Sequence, residues 1–299
     1  MKARAQISLL PDGKRLHLQD GPIDIVLEAF AGSTDEIRRA YRGAADRFTT
    51  VLDELCEELP LLRSPAGCAA RKPNGMVARR MLSAVMPHAK EHFITPMAAV
   101  AGAVAEEILN AMTQMTHLAR AYVNDGGDIA LHMAPGETFA IAMINRPDRP
   151  SLFGALTLNA SHPVRGIATS GWRGRSFSRG IADAVTVLAS TASSADAAAT
   201  VIANAVDLPG HPQIFRARAC DLAPDSDLGE ILVTTGLGNL TASEAAEALS
   251  RGEECARRLQ SSGLIYATAL HLNGSTRVVM PLETASMTAH CAKRNLSYA

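Results

Sequence analysis

One glycine- and arginine-rich stretch constrains the fold of this chain more than any other. It runs from Gly166 to Gly180, reads G-I-A-T-S-G-W-R-G-R-S-F-S-R-G, and holds the only tryptophan of the 299 residues, Trp172. Its first residues, Gly166–Thr169, are typical of a strand, and a second apolar run, Ala182–Ala189, follows it. Glycine turns let backbone N–H groups approach a ligand closely. The stretch therefore predicts a small-molecule site in a loop between two strands.

Composition excludes several classes of protein. Hydrophobic residues make up 47%, charged residues 20%, and the formal net charge is −1. This balance argues against binding to nucleic acid or to an anionic membrane. No apolar run reaches the roughly 18 residues of a transmembrane helix, and the N-terminus has no apolar core long enough for a signal peptide. We therefore expect a cytoplasmic protein with a small-molecule ligand, no nucleic-acid partner and no membrane partner, and we leave a homo-oligomer open.

The five cysteines are odd in number and form no C-x-x-C pair. They are expected to be free thiols of a reducing cytoplasm. Their positions are Cys56, Cys68, Cys220, Cys255 and Cys291.

Turn and capping signals divide the chain into short strands and amphipathic helices. Two capping boxes, Ser33/Glu36 and Thr241/Glu244, predict helices that run to about Glu58 and Gln260. The pair Asn273-Gly274 predicts a hairpin near the end of the chain. Further helices are expected at Met76–Val85, Pro96–Arg120 and Ala195–Val206. Strands are expected at Ile7–Leu10, Arg15–Leu18, Ile23–Phe30, Ala121–Asn124, Ile129–Met133, Phe139–Ile144, Leu152–Leu158, Gly166–Thr169, Ala182–Ala189, Gln213–Ala219, Glu230–Thr235, Leu264–Leu272 and Arg277–Leu282. This order predicts one α+β domain over residues 1–299.

The helix at Pro96–Arg120 begins with almost no side chains on two of its faces. Thr95-Pro96 is a strong start signal, since a hydroxyl precedes a proline at the first helical position. Alanines and Gly102 fill the first half. They favour either close helix packing or a bare N-terminus that offers N–H groups to a phosphate, and both can hold together.

The segment His88-Ala89-Lys90-Glu91-His92 fits the pattern H-x-x-E-H of zinc peptidases. That motif needs both imidazoles on one face of a regular helix. Pro87 and Pro96 bracket the segment and leave barely two turns. We therefore interpret it as exposed histidines at a helix end, not as a zinc site.

Two acceptor side chains share one face of the helix at Ala195–Val206. Ser193 or Ser194 is expected to cap this helix, with Asp196 in its first turn and Thr200 four residues later. In one interpretation, Asp196 does no more than stabilise the helix dipole. In the other, which the Thr200 hydroxyl on the same face favours, the two side chains bind a ligand or magnesium. Magnesium takes oxygen ligands and completes its shell with waters or phosphates.

Three motifs in order resemble the ApbE superfamily, whose best-known members are magnesium-dependent FAD:protein FMN transferases. Asn124–Ile129, N-D-G-G-D-I, looks like that family's N-x-G-G-D-I turn. Ala195–Thr200, A-D-A-A-A-T, is similar to its A-D-A-x-A-T helix start, where the acid and threonine hold the metal. The strand at Ala184–Ala189 precedes it as in the transferases. The resemblance implies an ApbE-like, T-fold-related α+β domain with antiparallel sheets packed by helices.

The departures from the transferase pattern are as informative. Where the transferases have D-x-G-G-x-A-K-G, residues Thr95–Gly102 keep only the final glycine, and no lysine stands at Ala101. Their S-H-I-x-D-P motif has no counterpart around Phe177, where the histidine is missing. The chain thus looks like an uncharacterised side branch of the superfamily, with the fold and the ligand class implied and the transferase reaction in question.

Three hypotheses follow. The first is an enzyme of unassigned reaction that binds a flavin nucleotide (FAD or FMN) or another anionic heterocycle, with Mg²⁺ bound by Asp196 and Thr200. The second is a flavin transferase with relocated groups, and the third is a non-catalytic flavin or small-anion binding protein or a subunit of a larger complex. The ligand-binding residues are expected to be Asn124, Gly126, Gly127, Asp128, Thr169, Ser170, Gly171, Trp172, Arg173, Arg175 and Ser176, and the catalytic residues are not assigned.

Overall fold

The computed structural model describes residues 4–68, 72–144 and 152–281. Its strands are β1 (Gln6–Leu9), β2 (Leu16–Asp20), β3 (Ile23–Phe30), β4 (Arg120–Asp125), β5 (Asp128–Met133), β6 (Thr138–Ile144), β7 (Leu152–Asn159), β8 (Gly166–Ser170), β9 (Ala184–Ala189), β10 (Ile214–Arg218), β11 (Leu232–Leu237), β12 (Ala267–Leu272) and β13 (Ser275–Val279). Its helices are α1 (Thr34–Glu57), α2 (Leu59–Leu62), α3 (Met76–Val85), α4 (Val100–Met115), α5 (Ala192–Ala205), α6 (Ala219–Leu222) and α7 (Ala242–Ser261). The predicted end of the last strand at Leu282 and the residues after it lie outside the described ranges.

Nine of these strands form one sheet. The order is β1-β2-β3-β4-β5-β8-β9-β12-β13, and each neighbouring pair is antiparallel. The pairs β6–β7 and β10–β11 form two separate two-stranded sheets. The prediction of an α+β fold with antiparallel sheets is confirmed.

Four helices cover one face of the large sheet. They pack in the order α1, α4, α5, α7, which follows the order of the strands beneath them. The predicted apolar face of α1 is buried at Ala44, Phe48, Val51 and Leu55. On the other face, the β6–β7 hairpin covers the middle strands, where Leu158 packs with Leu131, Ile167 and Leu188. The core is therefore two layers that meet at the sheet.

Local sequence signals correctly predicted the starts of α1, α3 and α7. Both capping boxes are present, at Ser33/Glu36 and Thr241/Glu244, and α3 has the predicted bounds. The expected helix at Pro96–Arg120 is wrong in its limits. A 3₁₀ turn at Pro96–Ala99 precedes α4, which ends at Met115. Thr95 does not cap it, because its hydroxyl hydrogen-bonds to Asp227 on a distant segment.

The predicted start of α5 is three residues too late. Thr191 is the N-cap, and its Oγ1 accepts the Ser194 N–H at 3.2 Å. Neither Ser193 nor Ser194 caps the helix, so Asp196 lies in the second turn and not in the first. Serine and threonine are both good N-cap residues, so Thr191, Ser193 and Ser194 were all suitable by residue type. The structure places Thr191 at the N-cap, where β9 leads into α5.

The first turns of α4 and α5 touch, and each receives a carboxylate from the other helix. Asp196 of α5 accepts the N–H of Gly102 on α4 at 3.0 Å. Glu106 of α4 accepts the N–H and the hydroxyl of Ser193 on α5 at 2.6 and 2.7 Å. A methyl group added at Gly102 would lie 2.3 Å from the Ala192 carbonyl oxygen. The bare start of the helix therefore packs closely against α5, and the anion that its Gly102 N–H binds is a carboxylate of the protein itself.

We predict that Gly102→Ala destabilises the protein by at least about 2 kcal/mol, because the added methyl must push two helices apart. Alanine would otherwise gain about 0.5–1 kcal/mol inside a helix. Urea unfolding followed by circular dichroism measures the change. Gly67→Ala is the matched control, since its methyl would lie 3.9 Å from the nearest atom. Equal stability of the two variants would show that the helices do not pack as described.

Candidate ligand-binding site

The β4–β5 hairpin turns through two glycines at the edge of the helix layer. Gly126 and Gly127 have φ values of +65° and +115°, which residues with a Cβ enter only at a cost. The Gly127 N–H donates to the Asn124 side-chain oxygen at 2.8 Å. Asn124 therefore closes the turn, so its side chain serves the backbone here.

The hairpin register places two acids side by side. Asp125 and Asp128 are directly opposite each other, so their side chains project from the same face of the sheet. Val123 and Ala130, the next pair on that face, are buried under the helices. Asp125 is itself buried, with only 5% of its surface exposed. The turn thus presents two carboxyl groups to the helix layer.

A third carboxyl group comes from α5. Asp196 binds the start of α4, as described above. Burial raises the pKa of Asp128 well above its ordinary value, and the charge of Asp196 adds to this rise. Burial raises the pKa of Asp196 to about 7, and the charge of Asp125 adds to this rise. Burial likewise raises the pKa of Asp125 to about 7. Within the described ranges, no basic side chain forms an ion pair with any of the three.

Strand β8 completes this part of the site. The Thr169 N–H donates to the Asp128 carboxylate at 3.2 Å, and its hydroxyl lies 2.9 Å from that of Thr186 on β9. Ser170 ends the strand and is half-buried. The structure therefore brings together the Asn124–Asp128 turn, Thr169 and Asp196.

The loop after β8 folds back on the start of β9. Gly171 is buried, and the backbone of β9 lies so close that a methyl group at this position would be 2.6 Å from the Asp183 carbonyl oxygen. The Arg173 guanidinium stacks over the Trp172 ring at 4.1 Å and pairs with Asp183 at 2.8 Å. Asp183 also accepts the Asn273 N–H at 2.7 Å. Arg173 is therefore held within the protein and covers one face of the indole.

Two polar groups of this loop lack a close partner. The Trp172 Nε1 is buried and has no hydrogen-bond partner among the described residues. Arg175 has a 65% exposed side chain, and its nearest acid is Asp24 at 3.9 Å. Its Nη1 lies 3.3 Å from the place of a methyl group at Gly126, so Arg175 reaches over the β4–β5 turn. Ser176 is exposed at the tip of the loop.

The oxygen atoms of this site could supply only some of the ligands of a magnesium ion. Asp196 and Thr200 lie one helical turn apart on α5, and both offer the oxygen atoms that magnesium takes. In residues 4–68, 72–144 and 152–281, however, no group of three histidine, cysteine, aspartate or glutamate side chains is placed to hold a metal ion. Any magnesium here would depend on oxygen ligands from water or from a bound phosphate.

Sequence reasoning missed three contributors. Asp125 stands inside the N-D-G-G-D motif, and its position opposite Asp128 could have been inferred from a two-residue hairpin. Asp183 falls inside the predicted strand Ala182–Ala189 and Glu106 inside the predicted helix Pro96–Arg120, and neither belongs to a recognised motif. No local pattern indicates that these acids bind Arg173 and the start of α5, because the partners are far apart in sequence.

Among the residues that the structure describes, His88, Glu91 and His92 do not form a group placed to hold a metal ion. The prediction of exposed histidines is wrong for His88, which is 3% exposed, and His92 is half-buried. The backbone of the H-x-x-E-H segment turns without forming a regular helix, as the bracketing prolines predicted. Cys56, Cys220 and Cys255 are free thiols, as expected, while the side chains of Cys68 and Cys291 lie outside the described part.

The fold and the site define the class: an α+β protein in which a hairpin turn, a strand end and a helix converge on three carboxyl groups. A family model described as AbpE bacteria matches residues 7–278, and the chain belongs to this family. The match confirms the resemblance to an ApbE-like side branch.

Related sequences carry names without an assigned activity. A UPF0280 protein from Methanopyrus kandleri is 33% identical over 165 residues, which are 54% of this chain and 65% of the relative. A UPF0280 protein from Methanothermobacter thermautotrophicus is 37% identical over 137 residues, 45% of this chain and 50% of the relative. The chain thus spans between half and two thirds of the length of these relatives.

The solved structures that match are more distant in sequence. The ApbE protein of Thermotoga maritima is 12% identical with a TM-score of 0.44, over 91% of this chain and 96% of its own. The flavin transferase ApbE from Vibrio cholerae is 14% identical with a TM-score of 0.38, over 92% of this chain and 97% of its own. In the described ranges, no helix has the length and apolar character needed to cross a membrane.

We predict that Asp125 makes the protein less stable as the pH rises. Its pKa is raised from 3.8 to about 7 by burial, so the folded state keeps a proton that the unfolded chain loses. The stability contributed by that proton is complete below about pH 4 and is lost as the pH rises through 7. Asp125→Asn should remove part of the decrease in unfolding free energy between about pH 5 and pH 8, on the order of 2 kcal/mol.

Urea unfolding at several pH values measures this difference. Asp46→Asn, an exposed site on α1, is the control and should keep the wild-type slope. An Asp125→Asn variant whose stability falls with pH as steeply as that of the wild type would contradict the assignment.

Proposed function

We propose that this chain binds a flavin nucleotide or another anionic heterocycle between the β4–β5 turn and the loop after β8. Arg175 is the observation on which the proposal rests. It is the exposed arginine of that loop, it reaches over Gly126, and its only ion pair among the described residues is at 3.9 Å. A guanidinium with unused N–H groups binds carboxylate or phosphate in a fork. Arg173 cannot take that role while it pairs with Asp183.

Trp172 supplies the preference for a planar ligand. One face of its ring is covered by Arg173, and its Nε1 is buried without a partner. A heterocycle with an acceptor atom at its edge would satisfy the indole N–H, since buried donors normally find a partner. The motifs at Asn124–Ile129 and Ala195–Thr200 resemble those of flavin transferases, which favours a flavin among such heterocycles.

We further propose that Mg²⁺ joins the ligand at Asp196 and Thr200, with water and the ligand's phosphate supplying its other oxygen ligands. Burial raises the pKa of Asp125, Asp128 and Asp196, and the charge of a neighbouring acid adds to each rise. A divalent cation would offset this repulsion and bring the carboxylates to the charged form. Asp196 and Thr200 would bind it, and the cation would neutralise the ligand's phosphate charge.

The reaction is not that of the transferases in this proposal. The position of their lysine is occupied by Ala101, at the start of α4, and the region of their histidine by Phe177, which is 38% exposed. Neither side chain can donate or accept a proton. A non-catalytic binding protein is the second candidate, favoured by the same two positions. The cytoplasmic location and a homo-oligomer stay predictions.

We predict that FAD or FMN quenches the fluorescence of Trp172 saturably, because this single tryptophan lies in the proposed site. Arg175→Gln should weaken that binding about tenfold or more, as expected when a charge-assisted pair is lost. Arg42→Gln, at an exposed arginine on α1, changes the net charge by the same amount as Arg175→Gln and should bind as the wild type does. The titration requires correction for absorption of light by the flavin.

The same titration with and without Mg²⁺ tests the metal. Affinity should rise with Mg²⁺ in the wild type and should not respond in Asp196→Asn. Asp196 also binds the start of α4, so circular dichroism must first show that this variant is folded. Equal flavin affinity of the wild type and Arg175→Gln would overturn the ligand proposal. Equal affinity with and without Mg²⁺, in both the wild type and Asp196→Asn, would overturn the metal proposal alone.

We predict that FMN transfer from FAD to a threonine-bearing acceptor protein is absent or very weak, since Ala101 and Phe177 replace the transferase groups. Incubation with FAD, Mg²⁺ and the acceptor, followed by in-gel flavin fluorescence, measures it. Strong covalent labelling would instead support a transferase with relocated groups.

A further inference from the structure

Three polar side chains form a row at the rim of the proposed site. Asp24 of β3 lies between His17 of β2 and Arg175 of the loop after β8. The His17 Nε2 is 2.8 Å from Asp24 Oδ1, and the Arg175 Nη2 is 3.9 Å from Asp24 Oδ2. The function proposed above uses Arg175 and gives no role to the other two side chains.

The sheet places Asp24 beside the β4–β5 turn. Residues of β3 alternate between its two faces, so Ile25 is buried among the helices and Asp24 projects from the opposite face. Ile25 is directly opposite Asp125, and Asp24 therefore lies beside the Gly126 end of the turn. The Asp24 N–H donates to Asp125 Oδ1 at 3.4 Å. Asp24 is thus held at the same turn over which Arg175 reaches.

One oxygen of the Asp24 carboxylate has no hydrogen bond. Oδ1 is bound to His17, which fixes the orientation of the carboxylate. Oδ2 accepts no hydrogen bond from any residue in the described ranges, because 3.9 Å to Arg175 is beyond hydrogen-bonding distance. The Asp24 side chain is 45% exposed, so a ligand bound to Arg175 can reach it.

The charge of Asp24 restricts which anions suit Arg175. A phosphate or carboxylate bound to Arg175 would lie near the Asp24 carboxylate, and the two like charges would repel each other. A ligand offsets this repulsion if a group next to its own anion donates a hydrogen bond to Asp24. A hydroxyl is such a donor, and carboxylates bind the ribose hydroxyls of dinucleotides in this way. A pyridine carboxylate carries no such donor.

We propose that Asp24 binds hydroxyl groups next to the ligand's phosphate, and that the site therefore takes the phosphate ester of a polyol or sugar. Arg175 binds the phosphate, Asp24 accepts from the hydroxyls, and His17 positions Asp24. This inference rests on the proposed function and selects a nucleotide over the other anionic heterocycles. FMN has this chemistry, because its ribityl chain carries hydroxyls between the phosphate and the ring.

The experiment compares FMN with a matched flavin that has a phosphopentyl chain in place of the ribityl phosphate, so that only the hydroxyls are missing. Trp172 fluorescence of the full chain gives both affinities. The wild type should bind FMN at least about tenfold more tightly than the matched flavin, as expected for hydrogen bonds to a charged group. In Asp24→Ala this preference should fall to about twofold or less, since the acceptor is lost.

Two further variants assign the contacts. Glu28→Ala is the control for Asp24→Ala, since Glu28 is an acid on the same strand and the same face. It should keep the wild-type preference for FMN. Arg175→Gln should weaken FMN and the matched flavin by the same factor, because both carry the phosphate.

Probes without a ring separate this inference from the flavin proposal. Ribitol phosphate and pentyl phosphate differ only in their hydroxyls, and the NMR resonances of the His17 imidazole report binding next to Asp24. Ribitol phosphate should shift these resonances saturably, at concentrations where pentyl phosphate does not.

Equal affinity of the wild type for FMN and the matched flavin would overturn the inference, and this comparison does not depend on the folding of any variant. An undiminished preference for FMN in folded Asp24→Ala would also overturn it. If neither flavin quenches Trp172 but ribitol phosphate alone shifts His17, the flavin proposal fails and the role of Asp24 is supported. If no probe binds, both are wrong.

Discussion

Two helix N-termini meet at the centre of this fold, and the exchange of carboxylates between them makes the meeting possible. Both ends carry the positive pole of a helix dipole and unpaired N–H groups. Asp196 binds the start of α4 and Glu106 binds the start of α5, so each helix supplies the anion that the other requires. Gly102 allows the approach, because any side chain there would strike the Ala192 carbonyl.

This junction extends into a charge network on one side and into the ligand site on the other. Glu106 also pairs with Arg80 of α3, and the adjacent Glu107 pairs with Arg47 of α1. The network thereby ties α1, α3, α4 and α5 together. On the opposite side, Asp196 stands beside the two acids of the β4–β5 turn. The position of the proposed site is therefore set by the same contact that holds the helix layer.

Arg173 and Arg175, in the loop after β8, have different roles. Arg173 is fixed by Asp183 and by the Trp172 ring, and it holds the loop against β9. Arg175 is left exposed above the β4–β5 turn. The sequence predicted both Arg173 and Arg175 as ligand-binding residues. The difference between them depends on Asp183, a buried acid that reaches Arg173 only in the folded chain.

The sequence by itself determined most of the elements and their order. Capping boxes, turn glycines and apolar periods are local, so they predicted α1, α3, α7 and the β4–β5 hairpin, and the motifs at Asn124–Ile129 and Ala195–Thr200 indicated the residues of the proposed site. Only the tertiary structure decided the start of α5, the end of α4, the burial of His88 and the partner of each acid. Those outcomes depend on contacts between residues far apart in the chain, where free energies of packing and desolvation exceed any local preference.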